Sequence, residues 1–154
     1  MNRLAACSLV LLLSLVPALR AGEPVPISPV ALDAYYKITA ALAADSLDGV
    51  VESSKAFANA VKDPMLQLAA TNVAAATQVD LPKTREMFVL MNTILADGLK
   101  FGDYRLEQGT TYRVYCPMKQ AEWLQSAQVP IRNPYHGAEM LECGAVIDTY
   151  AAKK

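Results

Sequence analysis

Five residues in the last third of this chain carry donor atoms suited to soft metals. Cys116 and Met118 stand two apart, Met140 and Cys143 three apart, and His136, the only histidine, lies between the two pairs. Thiolate and thioether sulfur together favour monovalent copper or silver over magnesium or calcium. Zinc asks for more cysteine or histidine, usually closing at four ligands. Residues two apart share a face on an extended chain, and residues three apart share one on a helix. Both spacings predict sulfurs turned to a common side, with Cys116, Met118, His136, Met140 and Cys143 as the candidate metal ligands. The same two cysteines also suit a structural disulfide closing a loop of 27 residues. Met118 and Met140 would then be ordinary packing, and no metal would be held. A bridged sulfur is not a thiolate ligand, so the two states exclude each other at any instant. His136 reads first as an exposed turn residue and second as a ligand.

The elements that must position these residues follow from the apolar spacing. Thr110 to Cys116 alternates and is rich in β-branched and aromatic side chains, which predicts a short strand ended by Pro117. Residues 121–125 read as one helical turn, with Trp123 anchoring it. Asn133-Pro134-Tyr135-His136-Gly137 has proline and glycine where a type I turn wants them. Met140 to Cys143 reads as helical, with Gly144 as its stop. Upstream, residues 23–29 form a proline-rich extended lead-in. Four amphipathic helices then follow. Ser28 and Pro29 open the first, with Leu32, Tyr35, Tyr36, Thr39 and Leu42 on one face. Asp45 or Ser46 opens the second, which runs through Val50 and Phe57 to Val61. Asp63 and Pro64 open the third, and Asp80 with Pro82 opens the fourth, which ends near Gly102. Short connections between four such helices predict a mainly α fold. It is an antiparallel up-and-down four-helix bundle carrying a small C-terminal strand-turn-helix segment with the cysteines and methionines, over residues 110–147.

The bundle by itself offers no chemistry. A di-iron carboxylate site needs histidines on the helices, and none precedes His136. Met65, Met87 and Met91 fall at helical spacing among Leu and Phe and read as core fillers. Asp97, Asp103 and Glu107 read as solvated carboxylates. One histidine without a recognisable nucleophile or phosphate loop gives no reaction class, so the chain reads as a non-enzyme with no catalytic residue.

At 154 residues the sequence has room for one domain, and its 14 basic against 15 acidic residues leave no surplus of positive charge for nucleic acid. Residues 1–21 have Arg3, an apolar run over 9–16 and small residues ahead of Gly22, the pattern of a secretory signal peptide. The run is too short for a spanning helix, so no membrane span is expected after cleavage. Cleavage after Ala21 leaves a single domain over 22–154 with 12 basic and 15 acidic residues, net −3, and removes Cys7. The odd cysteine becomes a pair, in a periplasmic or secreted protein whose compartment oxidises or metallates accessible thiols.

Tyr115-Cys116-Pro117-Met118, Trp123-Leu124-Gln125, Ile131-x-Asn133-Pro134-Tyr135-x-Gly137 and Met140-Leu141-x-Cys143-Gly144 occur in that order. This ending resembles that of a bacterial envelope domain of unknown function. The family is met as a free exported protein or at the C-terminus of periplasmic adaptor subunits of heavy-metal RND efflux pumps. The resemblance implies a periplasmic copper or silver context, envelope efflux components as partners, and Cys116, Met118, Met140 and Cys143 on the matching positions. His136 stands where that family more usually has an aromatic residue. The expectation is a soft-metal binding protein or accessory of heavy-metal efflux, or alternatively a disulfide-stapled interaction module of the envelope that docks through Trp123 and Tyr135.

Overall fold

The computed structural model describes residues 22–153; the signal-peptide reading of residues 1–21 lies outside them. Short proline-containing segments open three of the four helices. Ser28 caps α1 (Pro29–Ala43), its Oγ accepting from the Ala31 amide at 3.2 Å. Asp63 caps α3 (Pro64–Ala76) by accepting from the Met65 and Leu66 amides. Asp80 caps α4 (Leu81–Phe101) through the Lys83 amide. These carboxylates satisfy N–H groups that the first turn leaves free, and proline at N1 or N2 has no such group to lose. The fourth helix, α2 (Val50–Ala60), starts later than expected. Gly49 is its N-cap at φ 72°, so residues 45–49 form the turn into it. Gly102, at φ 85°, ends α4 in the left-handed conformation that glycine tolerates best.

The consecutive helices pack on one another, but the molecule is not a mainly α four-helix bundle. Five strands make it a mixed α/β fold. The extended lead-in is a strand, β1 (Val25–Ile27), paired in parallel with β2 (Tyr104–Leu106) just after α4. A three-stranded antiparallel sheet follows, in the order β4-β3-β5, from β3 (Thr110–Cys116), β4 (Ala121–Gln125) and β5 (Ala145–Ala151). The expected strand at 110–116 forms. Residues 121–125, expected to be helical, pair with it instead, Cys116 facing Ala121 across a four-residue turn that closes with Gln120 at φ 54°. Past Gly144 the chain continues as β5, beyond the stop expected there.

The sheet displaces the bundle geometry because β4 packs into the helices edge-on. The backbone amide of Leu124 donates to the Tyr35 hydroxyl of α1 at 2.9 Å, and the Glu122 carbonyl accepts from Asn92 of α4 and from the Tyr135 hydroxyl. A strand edge left bare would be an unsatisfied row of polar groups, and here side chains cover it. Tyr35, Phe88, Tyr135 and Trp123 stack from the helices to the sheet at centroid spacings of 5.5, 5.9 and 6.0 Å. All four are buried, with Trp123 fully so. Each such ring removes a large apolar surface from water and gains from edge and tilted contacts. Of the three methionines expected in the core, Met91 is fully buried and Met87 half-buried, but Met65 is 59% exposed. Asp97 is an ion-pair partner of Arg113, at 3.1 Å. No helix among the described residues is long and apolar enough to cross a membrane.

Candidate metal centre

The end of β3 and the start of β5 bring the two cysteines together. Tyr115 is in register with Ala145, so Cys116, one residue further along β3, faces the segment that precedes β5. That segment reaches the sheet because residue 144 is glycine. Gly144 has φ 150°, and a Cβ there would lie 2.6 Å from the Trp123 ring and 3.3 Å from the Tyr115 carbonyl oxygen. The sulfur atoms of Cys116 and Cys143 stand 3.2 Å apart, as free thiols in hydrogen-bond contact. Cys116 is fully buried and Cys143 half-buried, so the pair opens to solvent on the Cys143 side.

The surroundings make the two sulfurs unequal. Burial pushes the Cys116 thiol up, but the backbone N–H of Lys119, the Cys143 thiol, the N–H of Met118 and the Asn133 amide all face its sulfur and bring its pKa below the usual cysteine value. The turn after Pro117 aims these N–H groups back at the residue that begins it, a small anion nest. Cys143 moves the other way. Its proton is held by the hydrogen bond to Cys116, and burial and the charge on Cys116 add to this, so its pKa is raised. Cys116 is therefore the more readily deprotonated of the two sulfurs, with Cys143 as its hydrogen-bond donor.

Asn133 holds the arrangement and was not singled out as a site residue by the sequence. It is fully buried. Its Nδ2 donates to the Cys143 carbonyl at 2.8 Å, its Oδ1 accepts from the Tyr135 and His136 amides at 2.8 and 3.3 Å, and its own amide donates to the Leu141 carbonyl at 2.7 Å. The signal for it was Asn followed by Pro, since asparagine closes turns through its side chain onto the backbone two residues on.

The other candidate ligands are arranged differently from expectation. Met118 is not on the strand beside Cys116. Pro117 has already ended β3, and the Met118 side chain is 66% exposed although its N–H faces both sulfurs. Met140 and Cys143 are not on a helix either. A 3₁₀ turn at Gly137–Glu139 stops at Met140, and the Cys143 amide then donates to the Met140 carbonyl at 3.0 Å in a turn. His136 precedes the 3₁₀ turn, half-buried, with Nε2 buried and without a hydrogen-bond partner. It does not join the cysteines, for among the described residues no three His, Cys, Asp or Glu side chains converge as a metal group would require. Among the His, Cys, Asp and Glu side chains of the described residues, the converging donors are thus the two thiols, with Met118 anchored beside them by its backbone.

Two thiolates on one ion at about 2.3 Å stand roughly 3.8 Å apart at a tetrahedral angle and roughly 4.6 Å apart on a linear two-coordinate ion. The pair at 3.2 Å would have to widen by roughly half an ångström for a tetrahedral angle and by more than an ångström for a linear ion, with Cys143, between the 3₁₀ turn and β5, the less buried of the two. A two-sulfur donor set fits a soft monovalent ion of low coordination number and does not fit tetrahedral zinc. No family model, curated protein or solved structure matches the chain.

Proposed function

We propose that this protein is a non-enzymatic binder of a soft monovalent ion, copper or silver, working in the cell envelope as a buffer or as an accessory of heavy-metal efflux. The observation that carries this reading is the convergence of two unbridged thiols at 3.2 Å, one inside a nest of N–H groups that favours its thiolate. Cys116 and Cys143 would hold the ion, and the exposed thioether of Met118 is a candidate for a third donor. The role in the envelope rests on the leader pattern of residues 1–21 and on the resemblance carried by the ordered blocks from Tyr115 to Gly144.

The test is a titration of the reduced chain, freed of residues 1–21, with monovalent copper under argon against a chromogenic chelator. One ion per chain is expected for the unaltered protein, and the Cys116→Ser/Cys143→Ser variant should lose it. Equal binding by both would refute the reading. A second reading, a stapled interaction module, is favoured by the sulfurs standing closer than a shared ion would set them. Thiol counting on protein taken directly from the periplasm separates the two, because absence of both reactive thiols and bound metal would favour the staple.

A further inference from the structure

A cleft of about 430 Å³ lies between α1, the end of β4 and the segment 126–132. Its size falls within the roughly 300–1,000 Å³ typical of small-molecule sites. Small side chains make the room: Ala40, Ala43 and Ala44 form the α1 wall, faced by Leu124 and Leu141. The segment that closes the far side is held by Gln125, whose Nε2 reaches the carbonyls of Ala127, Gln128 and Pro130. Its other amide atom, Oε1, accepts from the Trp123 indole at 3.2 Å. Most polar side chains of the walls are already engaged. The Thr39 hydroxyl donates to the Tyr35 carbonyl and the Tyr36 hydroxyl to Thr111.

Among the described residues, Arg132 is the one charged side chain on the lining. It is exposed on the lining of this cleft, and among the described residues its guanidinium has neither an ion-pair partner nor a hydrogen-bond acceptor. No carboxylate lines the cleft. An apolar floor with one uncompensated cation at its edge is complementary to a molecule with a hydrocarbon body and a single negative charge. A polyanion would find only one partner here, and a neutral hydrocarbon would leave the guanidinium unused.

We propose that this cleft binds a small apolar monocarboxylate, its hydrocarbon part against the alanine face of α1 and its carboxylate paired with Arg132. The guanidinium fork offers two parallel N–H bonds to a carboxylate, which gives orientation as well as affinity. The site is separate from the thiol pair and needs no metal.

Decanoate is the probe, measured on the metal-free chain freed of residues 1–21 by displacement of a dansylated fatty acid, with decanol as the neutral counterpart. Saturable binding of one decanoate per chain is expected. Arg132→Gln should weaken decanoate by about tenfold or more, as expected for loss of a charge-assisted hydrogen bond, and leave decanol unchanged. Ala40→Phe, at an exposed helix position that folding tolerates, should fill the floor and weaken both. Cys116→Ser/Cys143→Ser should bind decanoate like the unaltered chain, so that loss of metal binding and loss of this site are told apart. No saturable binding by the unaltered protein overturns the proposal. So does Arg132→Gln binding decanoate as tightly as the original, or Ala40→Phe binding undiminished, because the ligand would then lie elsewhere.

Discussion

Replacing Asn133 by alanine should cost about 3 kcal/mol of folding stability and loosen the thiol pair. The side chain makes three hydrogen bonds, to the Cys143 carbonyl and from the Tyr135 and His136 amides. The Tyr135 amide is in a fully buried setting and would lose its acceptor, which costs about 1–3 kcal/mol for a stranded donor. The Cys143 carbonyl is partly buried and adds about 1 kcal/mol, with the 3.3 Å bond to His136 contributing least. A loss near 3 kcal/mol is a large share of the roughly 5–15 kcal/mol that holds a domain of this kind. Equilibrium denaturation in guanidinium under reducing conditions measures it, as a shift in midpoint at unchanged slope. Asn133→Asp is the informative companion. It keeps the two acceptor bonds, loses the donor to Cys143, and sets a negative charge beside Cys116. It should cost at least as much stability near neutral pH, because a fully buried carboxylate then faces the Cys143 carbonyl, and it should raise the Cys116 thiol pKa, read from thiolate ultraviolet absorbance against pH. An Asn133→Ala protein within about 0.5 kcal/mol of the original would place Asn133 among ordinary surface substitutions and refute the reasoning.

Two further outcomes follow from the packing of β4 and from the turn that precedes α2. Tyr35→Phe removes the hydroxyl that accepts from the Leu124 amide and donates to Asn92 at 2.6 Å, stranding a strand-edge N–H and a buried side-chain oxygen. It should cost about 2–3 kcal/mol in thermal or denaturant unfolding, and a loss below about 0.5 kcal/mol would show that β4 does not depend on this contact. Asp45 accepts from the Ala138 amide at 2.8 Å and pairs with Arg85, and these hold its carboxyl below the usual aspartate range. A lowered folded-state pKa stabilises the fold above the unfolded value near 3.8, and that stabilisation is lost as pH falls through the lower folded value. Denaturation midpoints of the original and of Asp45→Asn should therefore converge toward acid and diverge toward neutrality, whereas parallel curves would exclude this linkage.

The helices were legible because their signals are local. Ser28-Pro29, Asp63-Pro64 and Asp80 with Pro82 begin helices through atoms within three residues of the cap, and the apolar spacing between them repeats a face. The strand at 110–116 was legible for the same reason. The partners of these elements were not. Four of the five residues of β4 are buried, since α1 and α4 cover the edge that a free strand would show to water, and the alternation that marks a half-buried strand disappears. β1 has three residues, one of them proline, and exists because β2 lies beside it some eighty positions later. β5 is mostly exposed, so its β-branched and aromatic residues carry no core pattern.

The candidate site repeats this division at the scale of single side chains. That Cys116 and Cys143 belong together followed from counting, once residues 1–21 were set aside. That their sulfurs meet depends on the register of β3 with β5 and on a glycine at 144, neither of which has a local signature. The two methionine expectations went astray at element ends. Residues two apart share a face only while the strand lasts, and Pro117 interrupts it between Cys116 and Met118. Residues three apart share one only on a continuing helix, and Gly137, at φ 54° with Asp45 packed where a Cβ would go, commits the chain to a tight 3₁₀ turn instead. Side-chain direction is inherited from the backbone, so a phase argument reaches no further than the element that carries it. Asn133 shows the converse: a turn residue with no periodicity at all fixes the one geometry, the approach of Cys143 to Cys116, on which the proposed soft-metal binding depends.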